Sequence, residues 1–168
     1  MPEALQPQEL FDVLGRHRVD YVLIGGLAAT LHGSSALTND ADICPDPSSE
    51  NLERLAAAVR EMKARVRNEA EPDGVAFSAD PEFLQRMQLV NLTTRFGDFD
   101  IAFQPAGGHG YEDLVRRAVE IEVDGTVVRV ASLADIIRSK EAANRPKDRA
   151  TLPILYALED EIAKRAGQ

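Results

Sequence analysis

Apolar and polar residues alternate along the first third of the chain with a period that changes between helical and extended. Leu10, Phe11 and Leu14 share one face of a helix, whereas 19–24 is a mostly apolar run of strand length. Glycines and prolines mark the ends of these segments. The pattern therefore predicts a helix over 7–17, a buried strand over 19–24, a helix over 27–32, a strand over 40–43 and a helix capped by Ser48 or Ser49.

The remainder of the chain begins with a charged segment, 65–81, which we interpret as a loop. Two turn signals, at 97–98 and 124–125, lie between β-rich runs and predict hairpins. Ser132 can cap a helix. The predicted elements are strands over 89–96 and 99–103, a helix that begins near Tyr111, strands over 121–123 and 126–130, a helix after Ser132 and a helix from about Pro146. Together these elements predict a single α+β domain.

Composition supports a globular chain. By length, 168 residues correspond to one domain, and 44% hydrophobic with 28% charged residues excludes a disordered or collagen-like protein. The apolar runs are too short to span a membrane and no signal peptide begins the sequence, so we expect a cytoplasmic protein with no membrane partner. The single cysteine, Cys44, excludes a disulfide framework and a cysteine-rich zinc module.

The charge balance limits the partners. Nineteen basic and 28 acidic residues give a net charge of -9, which argues against a protein that coats nucleic acid. One local stretch is basic, because it contains five basic and only two acidic residues. It consists of Arg138, Lys140, Arg145, Lys147 and Arg149, with Glu141 and Asp148. This patch is either a solvated helix face or a phosphate-binding surface.

Paired acids and paired glycines are the first candidates for chemistry. Asp40 and Asp42 alternate along a strand, so both carboxylates project from one face, where they repel unless a cation lies between them. Oxygen ligands of this kind suit Mg²⁺ or Mn²⁺, although acids at a strand end are often merely solvated. Gly25 and Gly26 allow a phosphate to approach the backbone where a helix begins, or they serve a tight turn.

A second strand adds a third acid. Asp100 lies between two apolar residues, so its neighbours are anchored in the core, and Asp98 has the same parity but is the weaker candidate because of the predicted turn. Ser34 and Thr38 lie in the loop between the glycines and the aspartates, where their hydroxyls can contact a phosphate or simply be solvated. The three histidines have no metal-ligand spacing.

These features together resemble a known superfamily. Gly25-Gly26, thirteen intervening positions, Asp40-Ala41-Asp42 and a later Phe99-Asp100-Ile101 resemble the nucleotidyltransferases related to DNA polymerase beta. The run 128–148 resembles the compact branch of AbiEii-type and MenT-type toxin nucleotidyltransferases, and the resemblance extends from Tyr21 to about Leu155. It implies a mixed sheet flanked by helices with C-terminal helices. We expect one nucleotidyltransferase domain over 1–168, with a core at about 19–131 and a C-terminal helical segment at about 132–166.

The resemblance also implies roles for individual residues. The implied metal ligands are Asp40, Asp42 and Asp100. The implied catalytic set adds Lys140 and Asp148, and the implied nucleotide-binding set is Gly25, Gly26, Ser34, Thr38, Lys140 and Arg145. Asp148 either acts in the site or only pairs with Lys140 or Arg145, and Lys140 is either a phosphate contact or a surface lysine.

The implied activity is transfer of a nucleoside monophosphate from an NTP, with Mg²⁺ or Mn²⁺, to a hydroxyl of RNA, a tRNA end or protein. The toxin-like branch implies an antitoxin protein as partner. Little chain follows Asp148, so for a large acceptor we expect a second subunit or a partner protein to supply the missing surface. One alternative is a small-molecule acceptor, as in antibiotic-modifying enzymes. Another is a non-catalytic module that binds nucleotide or a partner. Acids along the groove would favour a cationic small molecule, and a continuous basic path from Lys140 would favour RNA.

Overall fold

The apolar run that ends at Ile24 forms an inner strand of a seven-stranded mixed sheet, and the computed structural model describes residues 3–167. The strands are β1 (Tyr21–Ile24), β2 (Asp40–Pro45), β3 (Arg65–Val66), β4 (Leu89–Thr94), β5 (Gly97–Ala102), β6 (Val119–Val123) and β7 (Thr126–Val130). The helices are α1 (Pro7–Arg16), α2 (Gly25–Leu31), α3 (Ser49–Glu61), α4 (Pro81–Arg86), α5 (Tyr111–Arg117), α6 (Leu133–Ala143) and α7 (Pro146–Ala166). The predicted α+β class is confirmed.

The strand order is β3-β4-β5-β2-β1-β7-β6. The pairs β1–β2, β3–β4, β4–β5 and β6–β7 are antiparallel, whereas β2–β5 and β1–β7 are parallel. Helix α3 contacts α1 and α4, and α6 contacts α2 and α7. The apolar residues of the strands and helices form one buried cluster, whose largest side chains include Phe11 and Phe99. The parallel β2–β5 pair therefore joins a three-stranded part of the sheet to a four-stranded part.

The predicted helix caps are confirmed. Ser48 accepts a hydrogen bond from the Asn51 backbone at the start of α3, and Ser132 accepts one from Asp135 at the start of α6. The buried Asn51 amide also donates to the carbonyl oxygens of Asp20 and Asp46 at 2.8 and 2.7 Å. It thus ties the residue before β1 to the residue after β2 and fixes the ends of both strands.

Two sequence predictions are wrong in detail. The first hairpin turns at 95–96 and not at 97–98, because Thr94 accepts a hydrogen bond from Phe96 and donates one to the Gly97 carbonyl. Strand β5 therefore starts at Gly97 and includes Asp98. The helix predicted over 27–32 begins two residues earlier, at Gly25, so the glycines form its first turn.

Two short elements were not predicted. Part of the segment interpreted as a loop, Arg65–Val66, pairs with β4, and Val66 also bridges to Val75. Helix α4 begins after Asp80, whose carboxylate accepts a hydrogen bond from the Phe83 backbone. Within the described part of the chain, none of the helices is both long and apolar enough to cross a membrane.

Candidate active site

Four carboxylates project from one face of the sheet at the β2–β5 pair. The parallel register places Asp40 opposite Asp98 and Asp42 opposite Asp100. Alternate residues of a strand share a face, so all four side chains lie on the same side. Oxygen atoms of Asp40, Asp42 and Asp100 all lie within 4.8 Å of one another. The structure thus brings together the three aspartates that the sequence analysis selected, and it adds Asp98 beside them.

The electrostatics of this cluster favour a bound cation. Burial, followed by the charge of Asp40, raises the pKa of Asp42 to about 6. Burial and the charge of Asp42 raise the pKa of Asp100 to about 8, although the Arg67 guanidinium opposes the shift. Carboxylates this close repel one another, and a bound cation would relieve that repulsion. An oxygen-only donor set is the type that Mg²⁺ and Mn²⁺ prefer, so the residues present fit such an ion.

Arg67 is the residue of this cluster that sequence reasoning missed. Its Nη2 lies 2.6 Å from Asp100 Oδ1 and 3.9 Å from Asp40 Oδ2, and its Nε lies 3.3 Å from Asp98 Oδ2. Its backbone N–H donates to the Asn91 carbonyl of β4, which holds it beside the sheet. The segment 65–81 shows no pattern that marks Arg67, and only the pairing of β3 with β4 brings it to the carboxylates.

The paired glycines are explained by close approaches to the loop and to β2. A Cβ atom on Gly25 would lie 2.4 Å from Asp42 Oδ2, and Gly25 has a φ of +74°. A Cβ atom on Gly26 would lie 3.0 Å from Thr38 Oγ1. The first-turn N–H groups of an α-helix have no acceptor within the helix, and Gly25, the first residue of α2, packs against the Asp42 carboxylate. These close approaches explain why both positions are glycine, and contact of their backbone with a phosphate stays a prediction.

The loop hydroxyls have structural partners of their own. Ser34 is buried, and its Oγ accepts a hydrogen bond from the Ala36 N–H at 3.2 Å. Thr38 Oγ1 donates to the Asp40 carbonyl at 3.1 Å, which links the loop to the start of β2. Both residues line the cleft described below. Their role as nucleotide contacts stays a prediction.

The predicted cations lie at the junction of α6 and α7. Asp148 is 0% exposed, and its carboxylate lies 3.5 Å from Lys140 Nζ and 2.7 Å from Arg145 Nε. It also accepts a hydrogen bond from the Arg145 backbone at the start of α7. Burial opposes its ionisation, but the hydrogen bonds with Arg145 hold the pKa of Asp148 below its usual value. Asp148 therefore lies behind the two cations and orients them.

The predicted residues, apart from Asp148, share one cleft with a volume of about 550 Å³. That size is typical of small-molecule sites. The candidate metal ligands and phosphate contacts among its lining residues are Gly25, Gly26, Ser34, Thr38, Asp40, Asp42, Asp100, Lys140, Arg145 and Lys147. The cleft therefore places a carboxylate cluster and a group of cations where one ligand can contact both.

Comparisons with known proteins agree with this geometry. No family model and no curated protein matches the chain. Among solved structures, the lincosamide antibiotic adenylyltransferase LnuA, bound to lincomycin, matches with a TM-score of 0.61 and 14% identity over 93% of this chain and 99% of that one. ANT(2'')-Ia in complex with adenylyl-2''-tobramycin matches with a TM-score of 0.55 and 14% identity over 95% of each chain. TM1012 of Thermotoga maritima, described as a nucleotidyltransferase, matches with a TM-score of 0.54 and 18% identity over 87% of each chain.

These likenesses show the fold. The chain has the mixed sheet and flanking helices of the nucleotidyltransferases, as the resemblance in sequence implied.

Proposed function

We propose that this protein is a metal-dependent nucleotidyltransferase that moves a nucleoside monophosphate from an NTP to a hydroxyl group of an acceptor. One observation carries the proposal: three converging carboxylates and a lysine line the same cleft of a nucleotidyltransferase fold. Fold alone does not define function. Phosphoryl transfer, however, needs a metal ion and a cation beside the phosphates, and the carboxylates and the lysine can supply these. The described residues that serve it come from β2, β5, α2, α6 and α7, so we treat 1–168 as one catalytic domain.

Each group has a role in this scheme. Asp40, Asp42 and Asp100 would hold Mg²⁺ or Mn²⁺, which when bound supplies charge stabilisation to the attacking and leaving oxygens. Lys140 and Arg145 bind the triphosphate, together with the backbone of the first turn of α2. The acceptor oxygen forms a bond to the α-phosphorus, and the bond from that phosphorus to the bridging oxygen breaks. Pyrophosphate leaves with the electron pair, and Asp100 accepts the hydroxyl proton.

A small-molecule acceptor is favoured by the dimensions of the chain and the cleft. The chain covers 99% and 95% of two antibiotic-modifying neighbours whose structures contain lincomycin and adenylyl-tobramycin. The cleft has the volume of a small-molecule site. An RNA or protein acceptor, as in the AbiEii-type and MenT-type enzymes, is the alternative, with a second copy or an antitoxin-like protein as its partner. A non-catalytic module that only binds a nucleotide or a partner does not require all three converging carboxylates.

The test is a transfer assay. Each α-labelled NTP is incubated with the protein, Mg²⁺ and a cell extract, beside the double variant Asp40→Ala/Asp42→Ala. We expect label in an acceptor with the wild type and a rate at least about 100-fold lower with the variant, since even partners that orient metal ligands contribute about 10–100-fold. Asp160→Asn removes an exposed carboxylate outside the cleft and serves as the control. Equal transfer by the double variant, or no transfer with any NTP, contradicts the proposal.

A further inference from the structure

The end of the cleft beyond Asp100 carries no charge. Strand β5 continues from Asp100 to Ala102, and the register places Asn91 opposite Asp100 and Leu89 opposite Ala102. These side chains share the face of the carboxylates. Two glutamines, Gln88 and Gln104, line the same end. Among the described residues that line the cleft, the charged ones are the three aspartates and the cations Lys140, Arg145 and Lys147.

The cleft also exposes apolar side chains. Leu37, in the loop before β2, is 98% exposed, and Leu89, at the start of β4, is 52% exposed. Both line the cleft. Removing apolar surface from water is favourable, so a ligand that covers these side chains gains affinity from an apolar face. The glutamines and Asn91 supply hydrogen bonds without charge.

We infer that the acceptor is an uncharged small molecule with both hydroxyl groups and an apolar face. It lies against Leu89 and the uncharged amides with one hydroxyl next to Asp100. The inference rests on the proposed transfer and specifies its acceptor. The cations that line the cleft are taken by the triphosphate, and Arg67 beside Asp100 is paired with Asp98 and Asp100, so phosphates of RNA would find no unpaired cation among the residues that line this end. Among the described residues that line the cleft, a polycation would find no carboxylates beyond the three that would hold the metal.

The test separates acceptors by charge. A metabolite extract is divided by ion exchange into cationic, anionic and neutral fractions, RNA is prepared separately, and each is offered with labelled NTP and Mg²⁺. We expect label in the neutral fraction. Label only in RNA or in a charged fraction overturns this inference and leaves the transfer activity established. No label in any fraction overturns both.

Variants give a second readout. Leu89→Asn removes apolar surface at the acceptor end, and we expect the acceptor KM to rise about 10-fold while the NTP KM stays unchanged. The matched control is Val127→Asn, since Val127 is 61% exposed on β7 and does not line the cleft. An unchanged acceptor KM in Leu89→Asn contradicts the placement of the acceptor, and a change in the NTP KM alone contradicts it as well.

A second, independent inference concerns Arg67, which lies beside the carboxylate cluster. Among the ion pairs of the described residues, Arg67 is the cation that contacts these aspartates, and it contacts Asp40, Asp98 and Asp100. Asp40 and Asp100 belong to the set that fits a metal ion. The guanidinium therefore supplies positive charge to two of the carboxylates that a divalent cation would use.

We propose that Arg67 is an internal counter-cation that lowers the affinity of the site for divalent metal. Like charges a few ångströms apart repel, so a metal held by Asp40 and Asp100 is opposed by the guanidinium. In the metal-free protein the same guanidinium offsets repulsion among the aspartates. The residue thus stabilises the metal-free state and sets the metal concentration at which the site fills.

The test measures Mn²⁺ binding by electron paramagnetic resonance without nucleotide. We expect Arg67→Gln to bind Mn²⁺ about 10-fold more tightly and Arg67→Lys, which keeps the charge but not the forked contacts, about 3-fold more tightly. We expect Arg67→Gln to melt at a lower temperature without metal and to gain more from Mn²⁺ than the wild type does. Arg65→Gln is the control, because Arg65 donates to the Gly74 carbonyl.

Two outcomes overturn this proposal. One is Mn²⁺ affinity that is unchanged or weaker in the folded Arg67 variants, which identifies a purely structural arginine. The other is a melting temperature that falls equally with and without Mn²⁺. Asp42→Asn verifies that the measured ion occupies the carboxylate site, since this variant is expected to lose most of the binding. Neither outcome depends on transfer activity, so the result is separate from the proposed function.

Discussion

Gly25 shows how a single residue without a side chain can determine the geometry of the site. Its missing Cβ leaves room for Asp42 Oδ2, which would otherwise lie 2.4 Å away. We expect Gly25→Ala to displace the Asp42 carboxylate, to weaken Mn²⁺ binding at least about 10-fold and to slow transfer. A positive φ adds about 1–2 kcal/mol of strain for any L residue with a side chain, so stability falls as well.

A second glycine separates these two effects. Gly108 has a φ of +80° and no heavy atom within 4 Å of a Cβ position, so Gly108→Ala adds backbone strain without a carboxylate contact. We expect both variants to melt a few degrees below the wild type in thermal denaturation, and only Gly25→Ala to lose Mn²⁺ affinity. Equal Mn²⁺ affinity in the two variants would show that the close approach of Gly25 to Asp42 does not affect metal binding.

At the scale of elements, strand periodicity predicted that the candidate carboxylates share one face, and the family resemblance supplied their proposed role as metal ligands. Asp40, Asp42 and Asp100 follow from the alternation of two strands, and their convergence needs only the parallel pairing of β2 with β5. Asp98 was the weaker candidate because a Gly-Asp pair is a strong turn signal, whereas the Thr94 hydroxyl fixes the turn two residues earlier.

Other parts of the site depend on tertiary contacts that no local pattern contains. Arg67 reaches the carboxylates because a two-residue strand pairs with β4, and such a strand is too short for periodicity to detect. The sequence showed the basic patch, but it did not show which of the charged residues of the patch is buried and which ones line the cleft. Asp148 is buried at the start of α7 and orients Lys140 and Arg145. Sequence alone left open whether it acts in the site or pairs with them.

At the scale of the whole molecule, the carboxylate cluster lies on the β2–β5 pair that joins the two parts of the sheet. Repulsion among these groups therefore acts across the pairing of these two strands. In the metal-free protein, the pKa values of Asp42 and Asp100 are raised to about 6 and about 8 from the usual value of 3.8. The folded state thus binds protons that the unfolded chain releases.

The sign of the pH dependence follows from this difference. Stability from these two groups is present below about pH 4 and is lost as the pH rises through about 6 and then about 8. We expect the melting temperature in EDTA to fall between pH 5 and 8, and saturating Mg²⁺ to reverse the fall because the ion binds the ionised carboxylates of the folded state. Asp100→Asn removes the group with the larger shift and is expected to flatten the profile in EDTA. A melting temperature in EDTA that rises over this range, or a profile that Mg²⁺ leaves unchanged, would contradict a metal site at the β2–β5 pair.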